Sequence, residues 1–260
     1  MKRINSIDIV RGIVMIIMAL DHVRDLIHVN SITQNPTDLN TTTPILFFTR
    51  WITHLCAPTF VFLAGTSVYL ASKNSNPNET RSFVIKRGIW LIVLEFTLVN
   101  FALWFDLGFH TFIFEVIAAI GFGLIVLGLL INFSPKTLGI IGLVIIFCHN
   151  LFALIPFGEA SAVKNILLPL FTFTAYPIGS TALIIGYSPI PWLGIILVGF
   201  AAGKFFELDA ETRKKRFLQI GAASLALFVI LRFINVYGDS VPWKYQQDAV
   251  YTFLSFLNVT

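Results

Sequence analysis

Seven stretches of the chain stay apolar for close to the length of a bilayer crossing, and the polar residues fall mainly between them. A spanning helix needs about 20 mostly apolar residues, and residues 9–29, 46–72, 86–106, 111–133, 137–157, 188–206 and 217–237 meet that requirement. An eighth run, 166–187, is also apolar but contains Pro169, Pro177 and Gly179, which break a helix or turn the chain. The pattern predicts an all-α fold, a polytopic transmembrane helix bundle of about seven spans with one broken or re-entrant segment. Residues 1–260 read as a single transmembrane domain. The apolar run that begins at 250 stops far short of bilayer thickness, so the chain is expected to be truncated at the C-terminus, a fragment of a longer membrane domain.

The cations orient these spans. Cytoplasmic connections collect Lys and Arg. Lys2 and Arg3 precede the first span, Lys73, Arg81, Lys86 and Arg87 surround the second connection, Lys136 marks the fourth, and Lys204 with Arg213, Lys214, Lys215 and Arg216 marks the sixth. Residues 29–44 contain no Lys or Arg. The expectation is a multi-pass protein of the plasma (inner) membrane with a cytoplasmic N-terminus and 29–44 outside. Asp21, His22, Arg24 and Asp25 interrupt the region where a signal peptide would be cleaved, so the first span reads as retained.

Composition agrees with this reading. Hydrophobic residues make up 56% of the 260 and charged ones 12%, against roughly 25% charged in a soluble domain. The pI near 9.1 comes from cations placed between apolar runs, so no nucleic-acid partner is implied. Cys56 and Cys148 both lie inside apolar runs, without the spacing of a disulfide framework or a zinc site.

Ionisable side chains inside a bilayer are costly and mark candidate chemistry. Arg11 and His22 share one face of the first helix about 16 Å apart along its axis, with Asp8 and Asp25 within about 60° of that stripe. Arg24 points away from the stripe and reads as the wet end of the helix. His22 is open to a catalytic or a packing role, and Asp8 with Arg11 to a plain i,i+3 pair. Arg50 and His54 share a face at i,i+4 in the second span, ahead of a kink at Pro58. Glu95 falls near mid-bilayer in the third, where it either braces helices or handles protons. Asp106 and Glu115 read as solvated, and Gly199-x-x-x-Gly203 as a packing seam.

The segment Ser6-Ile7-Asp8-Ile9-Val10-Arg11-Gly12, followed by Met15, Met18 and Asp21-His22, resembles the catalytic-domain family of heparan-α-glucosaminide N-acetyltransferase, which has bacterial members. Arg50 through Pro58, Phe60 to Ser67, Arg87-Gly88 through Glu95 and Pro191-Trp192-Leu193-Gly194 extend the resemblance. The spacing Arg11-x10-His22 is also similar to the motif of bacterial membrane sugar O-acyltransferases. These resemblances imply acyl transfer from cytosolic acetyl-CoA or another acyl-CoA to an acceptor at the far side of the membrane, such as a glycan or lipid-linked sugar, with no metal.

On that reading His22 is the general base or acyl carrier and Asp25 orients its ring. Arg11, Arg81, Lys86 and Arg87 hold the CoA phosphates, and Arg50 and His54 line the acceptor side. Eukaryotic members of the first family place an amide where His22 stands and their essential His in the first far-side loop, which makes His28 a further catalytic candidate, along with His54. Two other classes compete. One is a proton-coupled transporter with His22, His54 and Glu95 as a relay; the other is a membrane protein whose buried charges only lock helices together.

Overall fold

The computed structural model describes residues 4–27, 34–73, 75–155, 162–238 and 242–259. In chain order they form α1 (Asn5–Ile27), α2 (Pro44–Thr53), α3 (Cys56–Ser72) and α4 (Pro77–Leu94), which runs through a π-helical segment Glu95–Val99 into α5 (Asn100–Trp104). Next come β1 (Thr111–Phe114), α6 (Val116–Leu129), α7 (Pro135–Cys148) and α8 (Ala162–Phe171). The strands β2 (Thr174–Ile178) and β3 (Thr181–Ile185) precede α9 (Pro189–Ala202), α10 (Ala210–Ile234) and α11 (Ala249–Leu257).

Four of these helices open on a polar residue followed by proline: Thr43-Pro44, Asn76-Pro77, Ser134-Pro135 and Ser188-Pro189. The side-chain oxygens of Thr43, Asn76 and Ser134 accept the N–H groups of Leu46, Asn78 and Thr137. Proline at the first helical position has no N–H to leave orphaned.

The chain forms two compact units, Val61–Glu207, and Lys2–Phe60 with Leu208–Thr260. In the first, Val61, Val84, Leu124, Leu127, Leu138, Ile196 and Leu197 form a core to which α3, α4, α6, α7 and α9 contribute. Close approach at this core requires glycine. A Cβ on Gly88 would lie 2.5 Å from Gly121 O, and one on Gly121 would lie 2.7 Å from Gly88 O, so α4 and α6 cross backbone to backbone. Gly199 similarly has no room for a Cβ against Phe62 O of α3, which gives the expected Gly199/Gly203 seam its partner.

Also in the first unit, β1 pairs parallel to β3 and β2 antiparallel to β3, in the order β1-β3-β2. Asn100 locks the π segment to β1. Its Nδ2 donates to Ile113 O at 3.0 Å and to Glu95 O at 2.6 Å, while Ile113 N–H donates to its Oδ1. The turn from α5 to β1 is built on Asp106, which accepts the N–H groups of Gly108 and His110 and the His110 ring, each at 2.8 Å. Those two amides hold its carboxyl below the usual carboxylate range.

In the second unit α1 packs on α2, and α11 joins them through Tyr251 Oη to Thr42 O at 3.0 Å and Trp51 Nε1 to Leu257 O at 3.1 Å. Arg232 of α10 is buried and donates to the carbonyls of Phe256, Ser255 and Asn258 at 2.7, 2.8 and 3.1 Å, placing a cation at the negative C-terminal end of α11.

Several expectations change. The fold is mostly helical but not all-α. The run 111–133 is a strand followed by a 14-residue helix about 21 Å long, short of a crossing. The run 166–187 is the end of α8 and a hairpin turning at Gly179, whose φ is +63°. The run 46–72 is two helices with a break at His54 and Leu55, ahead of the expected kink at Pro58. Among the described residues four helical stretches are long and apolar enough to cross a membrane, 44–72, 135–152, 189–207 and 210–234, which does not confirm the expected seven. The 23 residues of α1 have the length but carry Asp8, Arg11, Asp21, Arg24 and Asp25.

Candidate functional site

Asp21 is the hub of a polar cluster in the second unit. α1 supplies it together with Arg24 one turn on; α2 supplies Arg50 and Thr53, also one turn apart. Arg50 Nη1 lies 2.7 Å from Asp21 Oδ2. Thr53 Oγ1 donates to Asp21 Oδ1, and Arg24 Nη2 pairs with the same oxygen. The Thr53 hydroxyl also has Arg50 O within 2.9 Å, but a charged acceptor takes the single proton more strongly.

Asp25 Oδ1 accepts from Arg24 Nη2 at 2.8 Å and from Nε at 3.2 Å. Two guanidinium and two carboxylate groups thus balance. The Arg24 side chain is only 9% exposed and Asp21 15%, against 50% for Asp25. One buried donor of this set is left over. Arg24 Nη1 is buried and has no hydrogen-bond partner among the described residues.

Of the residues expected from sequence, Arg50 and Asp25 join this cluster. Asp25 takes Arg24 as its partner rather than His22. His22 lies about 160° around α1 from Arg24, is exposed, and makes no hydrogen bond among the described residues. Arg11 pairs with Asp8 at 3.8 Å, each side chain about a third exposed (36% and 35%). His28 lies outside the described residues.

His54 is half-buried in the two-residue break between α2 and α3, its N–H bonded to Arg50 O at 3.0 Å. Arg81, Lys86 and Arg87 belong to the first unit, exposed on α4. Steps of five and one residues send them in three directions about 100–140° apart around that helix.

Glu95 also belongs to the first unit and is fully buried. Its Oε2 accepts Ala118 N–H at 2.9 Å, so the carboxylate sits at the N-terminus of α6, where the helix dipole favours an anion. Its Oε1 has no partner among the described residues. The geometry is that of a brace, with α6 held to the π segment by one side chain.

A family model described as heparan-alpha-glucosaminide N-acetyltransferase, catalytic, matches residues 3–235. The chain belongs to that family. No curated protein and no solved structure matched it. The heparan-α-glucosaminide N-acetyltransferase match takes in the Asp21 cluster, His54 and Glu95 alike and ends before α11. It suggests an acetyltransferase and supports a membrane protein.

Among the described residues no three His, Cys, Asp or Glu side chains gather as a metal set. Sequence reasoning passed over Asp21, Arg24 and Thr53 as site residues. A signal for them existed: Asp21-x-x-Arg24 and Arg50-x-x-Thr53 each put a complementary pair on one helix face.

Proposed function

We propose that the protein is an integral acyltransferase of the plasma membrane, N-terminus cytoplasmic, that moves an acetyl or similar group from cytosolic acyl-CoA to a sugar acceptor at the far side. Its acyl-transfer centre is the Asp21 cluster, with His54 as the base. The observation that carries this reading is the half-buried His54 in the two-residue turn that directly follows Arg50 and Thr53 of the cluster, inside the family-matched segment. Broken helices at membrane depth are where backbone and side chains are released toward a substrate. His22, exposed and facing away from Arg24, suits this role less well.

In the reaction, an acceptor amine or hydroxyl attacks the thioester carbonyl as His54 takes its proton. The C–S bond then breaks, and the CoA thiolate leaves with that proton. Arg11 of α1 is proposed as a contact for CoA phosphates, for which guanidinium groups are well suited.

The test uses the purified full chain, acetyl-CoA and glucosamine, with thiol release and N-acetylglucosamine as readouts. His54→Gln should lower kcat by about 100-fold or more, the usual contribution of a positioned base, while His22→Asn stays near wild type. Loss of activity in His22→Asn with His54→Gln active would return the base to α1. Wild-type protein that transfers nothing, yet supports proton-coupled uptake in proteoliposomes, would establish the transporter reading instead.

A further inference from the structure

We propose that Arg24 binds the acyl oxygen of the thioester through Nη1 as that oxygen becomes an oxyanion. This inference rests on the acyltransferase reading above and adds to it a residue that touches the reacting atoms.

The guanidinium of Arg24 is held from two sides. Nη2 is bound to both Asp21 and Asp25, and Nε to Asp25, so two carboxylates fix the plane of the fork and aim what remains of it. What remains is Nη1, buried and without a partner among the described residues, on a side chain that is 9% exposed. A buried donor on a charged group that stays unmade is costly, by about 1–3 kcal/mol or more. Both Asp21 oxygens, the Thr53 hydroxyl and Arg50 Nη1 have partners, and Arg24 Nη1 is the one buried polar atom of the cluster without one among the described residues. A buried, fixed donor beside otherwise paired buried groups has the form of a site that waits for an acceptor atom.

The charge balance says which acceptor. Two arginines against two aspartates leave no excess positive charge to attract a phosphate dianion. A carboxylate or phosphate is also best held by two donors of one fork, and on the Arg24 fork only Nη1 is left. A carbonyl oxygen fits better. It is neutral in the bound thioester and gains its charge only as the acceptor attacks, so a pre-aimed donor stabilises the transition state more than the ground state.

The atoms balance without further reagents. The acceptor's lone pair forms the new bond to the carbonyl carbon, and the carbonyl π pair moves to the oxygen at Nη1. That pair returns as the C–S bond breaks, and the acceptor proton passes through His54 to the departing thiolate.

The experiment uses the detergent-purified full chain and four readouts: kcat, KM for acetyl-CoA, affinity for CoA, and affinity for trifluoroacetonyl-CoA, a ketone whose tetrahedral adduct carries the oxyanion. Arg24→Gln should lower kcat by about 100-fold with KM and CoA affinity within about threefold, and should weaken the ketone in proportion to kcat. If Arg24→Gln loses its melting transition, Arg24→Gly is assayed with methylguanidinium, and recovery of kcat supports the assignment. Unchanged kcat, a loss confined to KM and CoA affinity, or a folded Arg24→Gly protein that methylguanidinium leaves inactive overturns it. A wild-type protein that releases no thiol from acetyl-CoA overturns the acyltransferase reading itself, and that outcome is visible before any variant is made.

Discussion

At the scale of single residues, the two aspartates of α1 differ in what they hold. Asp21 has both oxygens engaged, by Arg50, Arg24 and Thr53, and is 15% exposed; Asp25 binds, among the described residues, Arg24 alone and is 50% exposed. Asp21→Asn leaves two arginines without their shared anion, and removing one partner of a buried pair costs about 3–5 kcal/mol. Asp25→Asn loses a largely solvated contact, about 1 kcal/mol or less. Thermal unfolding of the two variants in detergent should show a large drop for the first and a small one for the second; equal drops would contradict the hub. The α1 sequence displays every one of these residues, yet helical periodicity reports only which of them share a stripe. Which stripe α2 covers is decided by the Arg50 and Thr53 side chains of another helix, so the Arg11–His22 face drew attention and the Asp21–Arg24 face did not.

At the scale of elements, helix starts are written plainly in the chain. The four polar-proline pairs at 43–44, 76–77, 134–135 and 188–189 mark helix N-termini, and three of them lie within about two residues of a span start read from hydropathy. The strands were not readable in the same way. Thr111-Phe112-Ile113-Phe114 continues into the apolar Val116–Leu129 with one polar residue, Glu115, between them, and a short apolar run has no periodicity to separate strand from helix. What makes β1 a strand is its pairing with β3, about seventy residues on, and the Asn100 lock. The crossing of α4 and α6 gives a sharp element-scale prediction. Gly121→Val puts carbon atoms where Gly88 O and Ile92 lie, an overpacking that costs about 1–3 kcal/mol. Gly221→Val on α10, where nothing lies within 4 Å, serves as the control. A fall in folded yield and melting temperature is expected for Gly121→Val alone; matched losses in both would mean that the crossing has slack.

For the whole molecule, orientation is the property on which the proposed placement of Arg11 at the CoA side depends. The absence of Lys and Arg from 29–44 predicts that connection to be outside. Asn40 is exposed there, in a turn closed by its bonds to Asp38 Oδ1 at 3.0 and 2.9 Å. Asn40→Cys should react with an impermeant maleimide in intact cells; reaction only after permeabilisation would reverse the orientation and move Arg11 to the far face. A last consequence follows from α10. Its 25 residues extend about 37 Å, longer than a hydrocarbon core of about 30 Å, but Arg213, Lys214, Lys215 and Arg216 occupy its first two turns. The apolar remainder, 217–234, is about 27 Å long, and nearly all of its surface is bare, with 6% of the helix's apolar window buried. A cationic collar at one end and Arg232 tied to the carbonyls of α11 at the other leave this helix little freedom to slide along the membrane normal. Where α10 crosses the bilayer, lipids with short acyl chains match its apolar length, and thicker ones must thin around it or draw the Arg213–Arg216 collar toward the oil.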